Sequence, residues 1–240
     1  LSHSEHELVI EFVIQRAAGR VPVLAGTGSN STSEAISLTQ SAQAAGADGA
    51  LVITPYYNKP PQEGLYRHFA AIAEECSIPI VLYNVPGRTG VDLLPETVAR
   101  LSSIENVVAV KEASGSVDRT VEILAECDIT VLSGDDSLTL ALMSVGARGV
   151  ISVAANVVPS RMAELVHLAA AGDFAAAAAL HHQLYPLMKS LFIETSPIPV
   201  KTCMEMQGLI EGEFRLPLVD AKEETRDILR GVLAELEIKV

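Results

Sequence analysis

The sequence has few cysteines, few basic residues and no long apolar run, and each shortage excludes a class of protein. Cys76, Cys127 and Cys203 are odd in number and form no Cys-x-x-Cys pair, which argues against a disulfide framework or a zinc site. The sequence has 17 basic and 30 acidic residues, and this excess of negative charge disfavours nucleic acids and anionic membranes as partners. No stretch reaches the roughly 18 consecutive apolar residues of a membrane span. We therefore expect a soluble protein of the reducing cytoplasm, without a bound metal.

Apolar residues are abundant enough for one large domain, at 49% of the 240 residues. Strand-length apolar runs recur without the alternation typical of half-exposed strands. Their starts lie about 20 to 30 residues apart, the period of a repeated βα unit. The six predicted strands are Val21–Ala25, Ala50–Thr54, Ile78–Asn84, Val107–Lys111, Ile129–Ser133 and Gly149–Val153.

Helix signals fill several of the segments between these strands. The predicted helices are Glu5–Ala18, Asn30–Ala45, Glu96–Leu101, Ser116–Cys127, Asp135–Val145 and Pro159–Ala171. Asp173–Val240 is predicted to be a helical tail that Pro197 and Pro199 interrupt, with loops at Gly208 and Gly212. Repeated βα units fit either an open doubly wound sheet or a closed barrel, and the period alone does not choose between them.

A Gly-rich turn at Gly26–Ser31 invites a dinucleotide-binding interpretation. Ser31 stands where the third glycine of that motif would be, and no acidic residue ends the strand Ala50–Thr54. A tight turn with a helix N-cap is therefore the preferred interpretation.

Lys111 ends an apolar strand and is either a solvated boundary residue or a nucleophile. An amine with a reference pKa near 10.4 is protonated at neutral pH, but apolar surroundings disfavour its charged form. A lysine on a rigid strand at the mouth of a barrel is placed to form a Schiff base with a carbonyl substrate.

Aromatic residues end two other predicted strands. Tyr83 is either a tyrosine of the core or a member of a proton relay. Arg88 is either a turn residue or a group that binds a carboxylate. In the functional interpretation, both lie on the same rim as Lys111. Tyr56 and Tyr57 are two of only five tyrosines, and packing at a subunit interface is the alternative to a catalytic role.

These motifs together resemble the dihydrodipicolinate synthase and N-acetylneuraminate lyase family of class I aldolases. The resemblance lies in Thr54–Asn58, Tyr83–Gly90, Val110–Gly115, Ser133–Asp136, Gly149–Ser152 and Ser196–Lys201, in the family's order and spacing. It implies an α/β fold, a (β/α)8 TIM barrel with a C-terminal helical extension. Residues 1–155 would form a partial barrel, and residues 156–240 the last barrel helices and the C-terminal helical region.

The resemblance implies a condensation of pyruvate with L-aspartate 4-semialdehyde to 4-hydroxy-tetrahydrodipicolinate, in lysine and diaminopimelate biosynthesis, without a cofactor. Lys111 would carry a covalent pyruvate imine, and Tyr83 would act as its acid and base. Tyr57 would extend the proton relay from a neighbouring subunit of a homotetramer. The predicted substrate-binding residues are Arg88, Gly134, Ile151 and Asn84.

The family resemblance also implies a regulatory site for L-lysine at a subunit interface. Its predicted residues are His3, His6, Asn30, Glu34 and Tyr56. A metal site at His3 and His6 is disfavoured, because no third ligand accompanies them at a suitable spacing.

One family segment, Gly-Thr-Thr-Gly-Glu after the second strand, has no counterpart in this sequence. The first two strands and the first helix of the barrel are therefore expected to be absent. Arg88-Thr89-Gly90 favours the synthase over the sialic-acid lyase branch. Two alternatives stay open: a related pyruvate aldolase with another acceptor, such as a sugar acid, and a ligand-binding paralogue without turnover.

Overall fold

Parallel strands alternate with helices along the first part of the chain, as the βα period predicts. The computed structural model describes residues 1–239. These residues divide into a first unit, Leu1–Leu132 with Val145–Ala147, and a second unit, which begins with Ser133–Ser144 and continues from Arg148.

The first unit contains the strands that carry most of the predicted site. Its strands are β1 (Leu24–Gly26), β2 (Gly49–Ile53), β3 (Ile80–Asn84), β4 (Val107–Glu112) and β5, which starts at Thr130 and ends at Ser133. Its helices are α1 (His3–Ala17), α2 (Thr32–Ala45), α3 (Gln62–Glu75), α4 (Pro86–Thr89), α5 (Pro95–Ser102) and α6 (Val117–Glu126).

These strands pair in chain order, and the pairs β1–β2, β2–β3 and β3–β4 are parallel. The β3–β4 ladder contains an irregularity, since Ile80 pairs with Val107 but Val81 pairs with Ala109. Val108 is thus an extra residue in β4. Beyond it the pairing is regular, and Tyr83 lies opposite Lys111.

Apolar side chains of α3 help to form the core beneath this sheet. Leu65, Phe69 and Ile72 recur at helical spacing and are fully buried, as are Ile80 and Leu82 of β3. A core of this kind makes the strands a rigid support for residues at their ends.

The second unit is mainly helical. Its elements are a 3₁₀ turn at Asp136–Leu138, α7 (Thr139–Ser144), β6 (Gly149–Val150), a 3₁₀ turn at Ala154–Asn156, α8 (Pro159–Ala170), α9 (Phe174–Ser190), α10 (Ile198–Met206) and α11 (Glu223–Glu235). Pro197 and Pro199 lie at the start of α10, so they interrupt the tail where the sequence predicts. Gly208 and Gly212 lie in the loop before α11, also as predicted.

Four predicted strands are shorter in the structure, and the first and the sixth show the physical reason. The first does not begin at Val21, because Pro22 has no N–H and the N–H of Val23 donates to the carboxylate of Asp48 at 2.7 Å. The sixth ends at Val150 rather than Val153, whose N–H donates to a side chain instead of a neighbouring strand.

The sequence patterns do not predict two helices of the first unit. The Pro-Gly sequence indicates a turn at Pro86–Thr89, but this segment forms the short helix α4, which begins with the proline. The long helix α3 begins after Pro61, and its apolar residues at helical spacing are the signal that would have located it.

None of the helices formed by residues 1–239 combines the length and the apolar character that crossing a bilayer requires. Over the same residues, no group of three or more His, Cys, Asp and Glu side chains is arranged to hold a metal ion.

His68 makes the stability of the first unit depend on pH. Burial lowers the pKa of His68 from 6.5 to about 4, and its Nδ1 lies 2.9 Å from the hydroxyl of Thr32. The unfolded chain therefore binds a proton between pH 6.5 and 4 that the folded chain excludes, and stability is lost as pH falls through this window. We expect His68 to reduce the free energy of unfolding by about 2 kcal/mol between pH 8 and pH 5.

Urea unfolding at both pH values measures this difference. His68→Asn should show a pH dependence smaller than that of wild type by about 2 kcal/mol, whereas His182→Asn, at an exposed position, should match wild type. Equal pH dependence in wild type and His68→Asn would contradict the assignment.

Candidate active site

Lys111 and Tyr83 face each other across two paired strands. They are directly opposed in the β3–β4 register, so their side chains leave the same face of the sheet. The Nζ atom of Lys111 lies 4.1 Å from the centroid of the Tyr83 ring. The two residues thus bring an amine and a phenol into contact, as imine chemistry with an acid–base partner requires.

The surroundings of Tyr83 keep its hydroxyl protonated. Burial raises the pKa of the Tyr83 phenol, and the positive charge of Arg88 opposes part of this shift. Arg88 is an exposed residue of α4, the helix that follows β3. A protonated phenol beside an amine can donate a proton to a reacting oxygen, and the nearby arginine can bind a carboxylate.

Tyr57 projects from a strained turn after β2. Its φ is 72°, in the left-handed region that side chains other than glycine rarely adopt, and its side chain is 90% exposed. The N–H of Tyr57 donates to the carbonyl of Thr89 at 3.4 Å. The Thr54 hydroxyl, which is buried, donates to that of Thr89 at 3.3 Å. These contacts join the Tyr57 turn to α4, the short helix that carries Arg88.

Asn84 and Glu112 point away from the face that carries Tyr83 and Lys111, because successive side chains of a strand alternate between faces. Asn84 is fully buried, and its Nδ2 donates to Asp92 at 2.9 Å and to Glu112 at 3.0 Å. Its Oδ1 accepts from the N–H of Leu93 at 2.9 Å. The direct substrate contact predicted for Asn84 stays a prediction, and the amide already has three protein partners.

Glu112, Asp92 and Arg119 are polar residues near the site that the sequence patterns did not single out. Glu112 is only 2% exposed, and burial raises the pKa of its carboxyl while hydrogen bonds from Ser114 and Asn84 oppose the shift. Arg119 binds Asp92 through both terminal nitrogens, each at 2.9 Å. The sequence signal that could have located this group is Glu112 itself, a glutamate directly after Lys111 in an otherwise apolar strand.

In the second unit, Gly134 and Ile151 lie beside a buried carboxylate. Asp136 accepts hydrogen bonds from the N–H groups of Val153 at 3.0 Å and Ala154 at 2.8 Å. Burial raises the pKa of Asp136, and these hydrogen bonds oppose the shift. The N–H of Ile151 donates to the carbonyl of Ser133 at 2.9 Å, so the segments of Gly134 and Ile151 are joined through their backbones.

All five residues predicted for the lysine site occur close together in the first unit. His3, His6, Glu34 and Tyr56 line a cavity of about 310 Å³, and Nδ2 of Asn30 donates to the carbonyl of Tyr56 at 3.2 Å. The Nε2 atom of His3 lies 3.1 Å from the carboxylate of Glu34.

A glycine packs tightly beside this cavity. A Cβ atom on Gly28 would lie 2.4 Å from the backbone nitrogen of Ile53, so only glycine fits where the turn crosses β2. The Gly-rich turn therefore has a packing reason for its second glycine.

The family model described as "Dihydrodipicolinate synthetase family" matches residues 1–236. The chain belongs to this family. A 4-hydroxy-tetrahydrodipicolinate synthase from Persephonella marina is 55% identical over 98% of this chain and 82% of its own length. The family predicted from the motifs is therefore confirmed.

Solved structures of the family agree with this fold. The dihydrodipicolinate synthase of Aquifex aeolicus superposes with a TM-score of 0.99 at 52% identity, over 100% of this chain and 83% of that one. The synthase of Cyanidioschyzon merolae, solved with lysine bound, gives 0.96 at 38% identity, over 99% and 82%. The α/β class and the parallel sheet are confirmed and are consistent with the family's barrel.

The absence of two strands and one helix stays a prediction, as does the division at residues 155 and 156. Because the relatives reported above are named as synthases, the alternative of a sialic-acid lyase is not favoured.

Proposed function

We propose that the chain is a lyase that condenses pyruvate with L-aspartate 4-semialdehyde to 4-hydroxy-tetrahydrodipicolinate, in lysine and diaminopimelate biosynthesis. The observation that carries the proposal is the 4.1 Å approach of Lys111 Nζ to the Tyr83 ring. The Lys111 amine adds to the ketone of pyruvate, water leaves, and a covalent imine forms. No cofactor is needed, because the protonated imine itself withdraws electrons from the neighbouring carbon.

Tyr83 supplies and removes protons in this scheme. Its half-buried phenol, whose pKa is raised, stays protonated at neutral pH and can protonate the oxygen that leaves as water. Arg88 holds the carboxylate of the incoming semialdehyde through its planar guanidinium.

Tyr57 completes the relay in a neighbouring subunit. Its side chain is 90% exposed while its backbone is held in the left-handed region, an arrangement that favours a role outside its own subunit. A relay residue from a neighbouring subunit requires an oligomer, and we propose a homotetramer in the cytoplasm.

Gly134 and Ile151 contact pyruvate through backbone groups. The carboxylate of Asp136 supports this proposal, because it holds the N–H groups of Val153 and Ala154 and so restrains the segment that follows Ile151. Asn84 is included among the substrate-binding residues only through the family resemblance.

A direct assay tests the proposed reaction. Purified protein should consume pyruvate and aspartate semialdehyde together, and it should not cleave N-acetylneuraminate. Cleavage of N-acetylneuraminate without condensation activity would overturn the proposal.

L-Lysine is proposed to bind the cavity lined by His3, His6, Glu34 and Tyr56, with Asn30 beside it. The cavity of about 310 Å³ is large enough for an amino acid, and Glu34 offers a carboxylate for an ammonium group. The lysine-bound relative from Cyanidioschyzon merolae supports the same ligand.

We expect millimolar L-lysine to inhibit condensation, and Glu34→Gln to weaken this inhibition by about tenfold or more in lysine concentration. Initial rates at increasing lysine, each normalised to the variant's own uninhibited rate, measure the effect. Glu126→Gln, at an exposed acidic position that does not line the cavity, is the control variant, and L-norleucine, which lacks the ε-ammonium, is the control ligand. Rates unchanged by millimolar lysine would exclude the site.

A further inference from the structure

A polar network centred on two buried side chains lies directly behind the Lys111 and Tyr83 pair, on the opposite face of the same two strands. It consists of Asn84, Asp92, Glu112 and Arg119, and we call it the rear network. Both amide hydrogens of Asn84 are used, one for each carboxylate, at 2.9 Å to Asp92 and 3.0 Å to Glu112. Arg119 closes the network by binding Asp92 through two nitrogens.

Glu112 is an unusual residue for a buried strand position. It is 2% exposed and follows Val110, which is fully buried, and Lys111 in β4. Removing a carboxylate from water is costly unless hydrogen bonds replace the lost solvation. Asn84 supplies one such bond, and the N–H of Ser114 supplies another at 2.6 Å. A carboxylate maintained in this position needs a reason beyond packing.

The strand register provides that reason. Val108 is an extra residue in β4, so the pairing of β3 with β4 changes partway along the ladder. Moving the pairing by one residue would turn Lys111 to the other face of the sheet. The Asn84–Glu112 hydrogen bond joins the pair of opposed residues next to Tyr83 and Lys111, beyond the extra residue.

We propose that Asn84 and Glu112, anchored by Asp92 and Arg119, are positioning residues that hold the amine of Lys111 against the phenol of Tyr83. The inference rests on the proposed function, because the geometry it protects is that of imine formation. Glu112 acts through the strand backbone and Asn84 through the opposing strand. Neither needs to touch the substrate.

Glu112→Gln tests this role with almost no change in volume. The new amide can still accept from the N–H of Ser114, but its NH₂ group meets the NH₂ group of Asn84. We expect the folded variant to show a kcat about tenfold or more below wild type, with slower trapping of the pyruvate imine by borohydride, since small misplacements of reacting groups are costly. KM for pyruvate should change much less than kcat.

The double variant with Asn84→Ser and Glu112→Gln tests whether the two residues act through one contact. Because both substitutions remove the same cross-strand hydrogen bond, we expect its kcat to be no lower than that of the more affected single variant, and the four proteins form a double-mutant cycle. Asn84→Ser breaks the same contact from the other strand without adding charge, and it should slow imine trapping in the same way.

Glu122→Gln is the matched control, because Glu122 also lies near Arg119, at 3.3 Å, but is 58% exposed. It should keep wild-type kcat. Circular dichroism at the assay temperature gives the folded fraction of each variant. If Glu112→Gln is unfolded, Asn84→Ser decides the matter.

The inference is overturned if the folded Glu112→Gln, or Asn84→Ser in its place, keeps kcat within twofold of wild type. It is also overturned if the loss of rate equals the loss of folded protein, or if the losses of kcat from the two single substitutions simply multiply in the double variant. Failure of the proposed function itself would look different, because wild type would then form no pyruvate imine.

Discussion

Lys111→Arg is expected to lower the kcat of condensation by about 10³-fold or more, because the residue that we propose to form the covalent intermediate is lost. Arginine keeps the positive charge, but a guanidinium with a pKa above about 12 does not deprotonate to a nucleophile in proteins. The neighbours of Lys111 in β4, Val110 and Glu112, are buried and keep the strand in place. The substitution therefore removes the chemistry while leaving the strand that carries it.

Borohydride reduction in the presence of pyruvate, followed by peptide mass spectrometry, measures this prediction. Wild type should gain the mass of pyruvate less one oxygen atom, on the peptide that contains Lys111. Lys111→Arg should gain nothing. Lys189→Arg, at an exposed position of α9, is the control and should be labelled like wild type. A reduced adduct on any other lysine would contradict the assignment.

The ends of the strands were the part of the site that sequence patterns located best. An apolar run that stops at Tyr83 or at Lys111 marks a place where a buried strand meets solvent, and parallel strands bring such ends to one edge of a sheet. The structure places these two residues directly opposite each other. The strand boundaries were less reliable, since Val23 and Val153 leave their strands to bond with the carboxylates of Asp48 and Asp136.

The rear network was beyond the reach of sequence patterns for a physical reason. From the sequence alone, Glu112 is predicted to be a solvated residue at a strand end. Its burial depends on a hydrogen bond from Asn84, which lies 28 residues away in the chain. No sequence pattern marks Val108 as an extra residue either, because it lies in a uniform run of small apolar side chains. Both features depend on contacts between strands, and a single sequence does not display them.

Tyr83→Phe is expected to lower kcat by about 10²- to 10³-fold, the range typical of a lost acid–base group. The phenylalanine ring keeps the packing of β3 and the contact of the ring with Lys111 Nζ, so the change removes only the hydroxyl. The imine should still form, but slowly, because water must leave without a positioned proton donor. Lys111→Arg and Tyr83→Phe thus differ in kind: one forms no adduct, and the other accumulates it slowly.

Time courses of borohydride trapping, measured beside steady-state kcat, separate these outcomes. Tyr66→Phe is a matched control, since the guanidinium carbon of Arg100 lies 3.9 Å from the Tyr66 ring centroid in an arrangement like that of Lys111 and Tyr83. It should keep the wild-type rate of trapping. If Tyr83→Phe traps pyruvate as fast as wild type and loses kcat, the phenol acts after imine formation, and its role in releasing water is wrong.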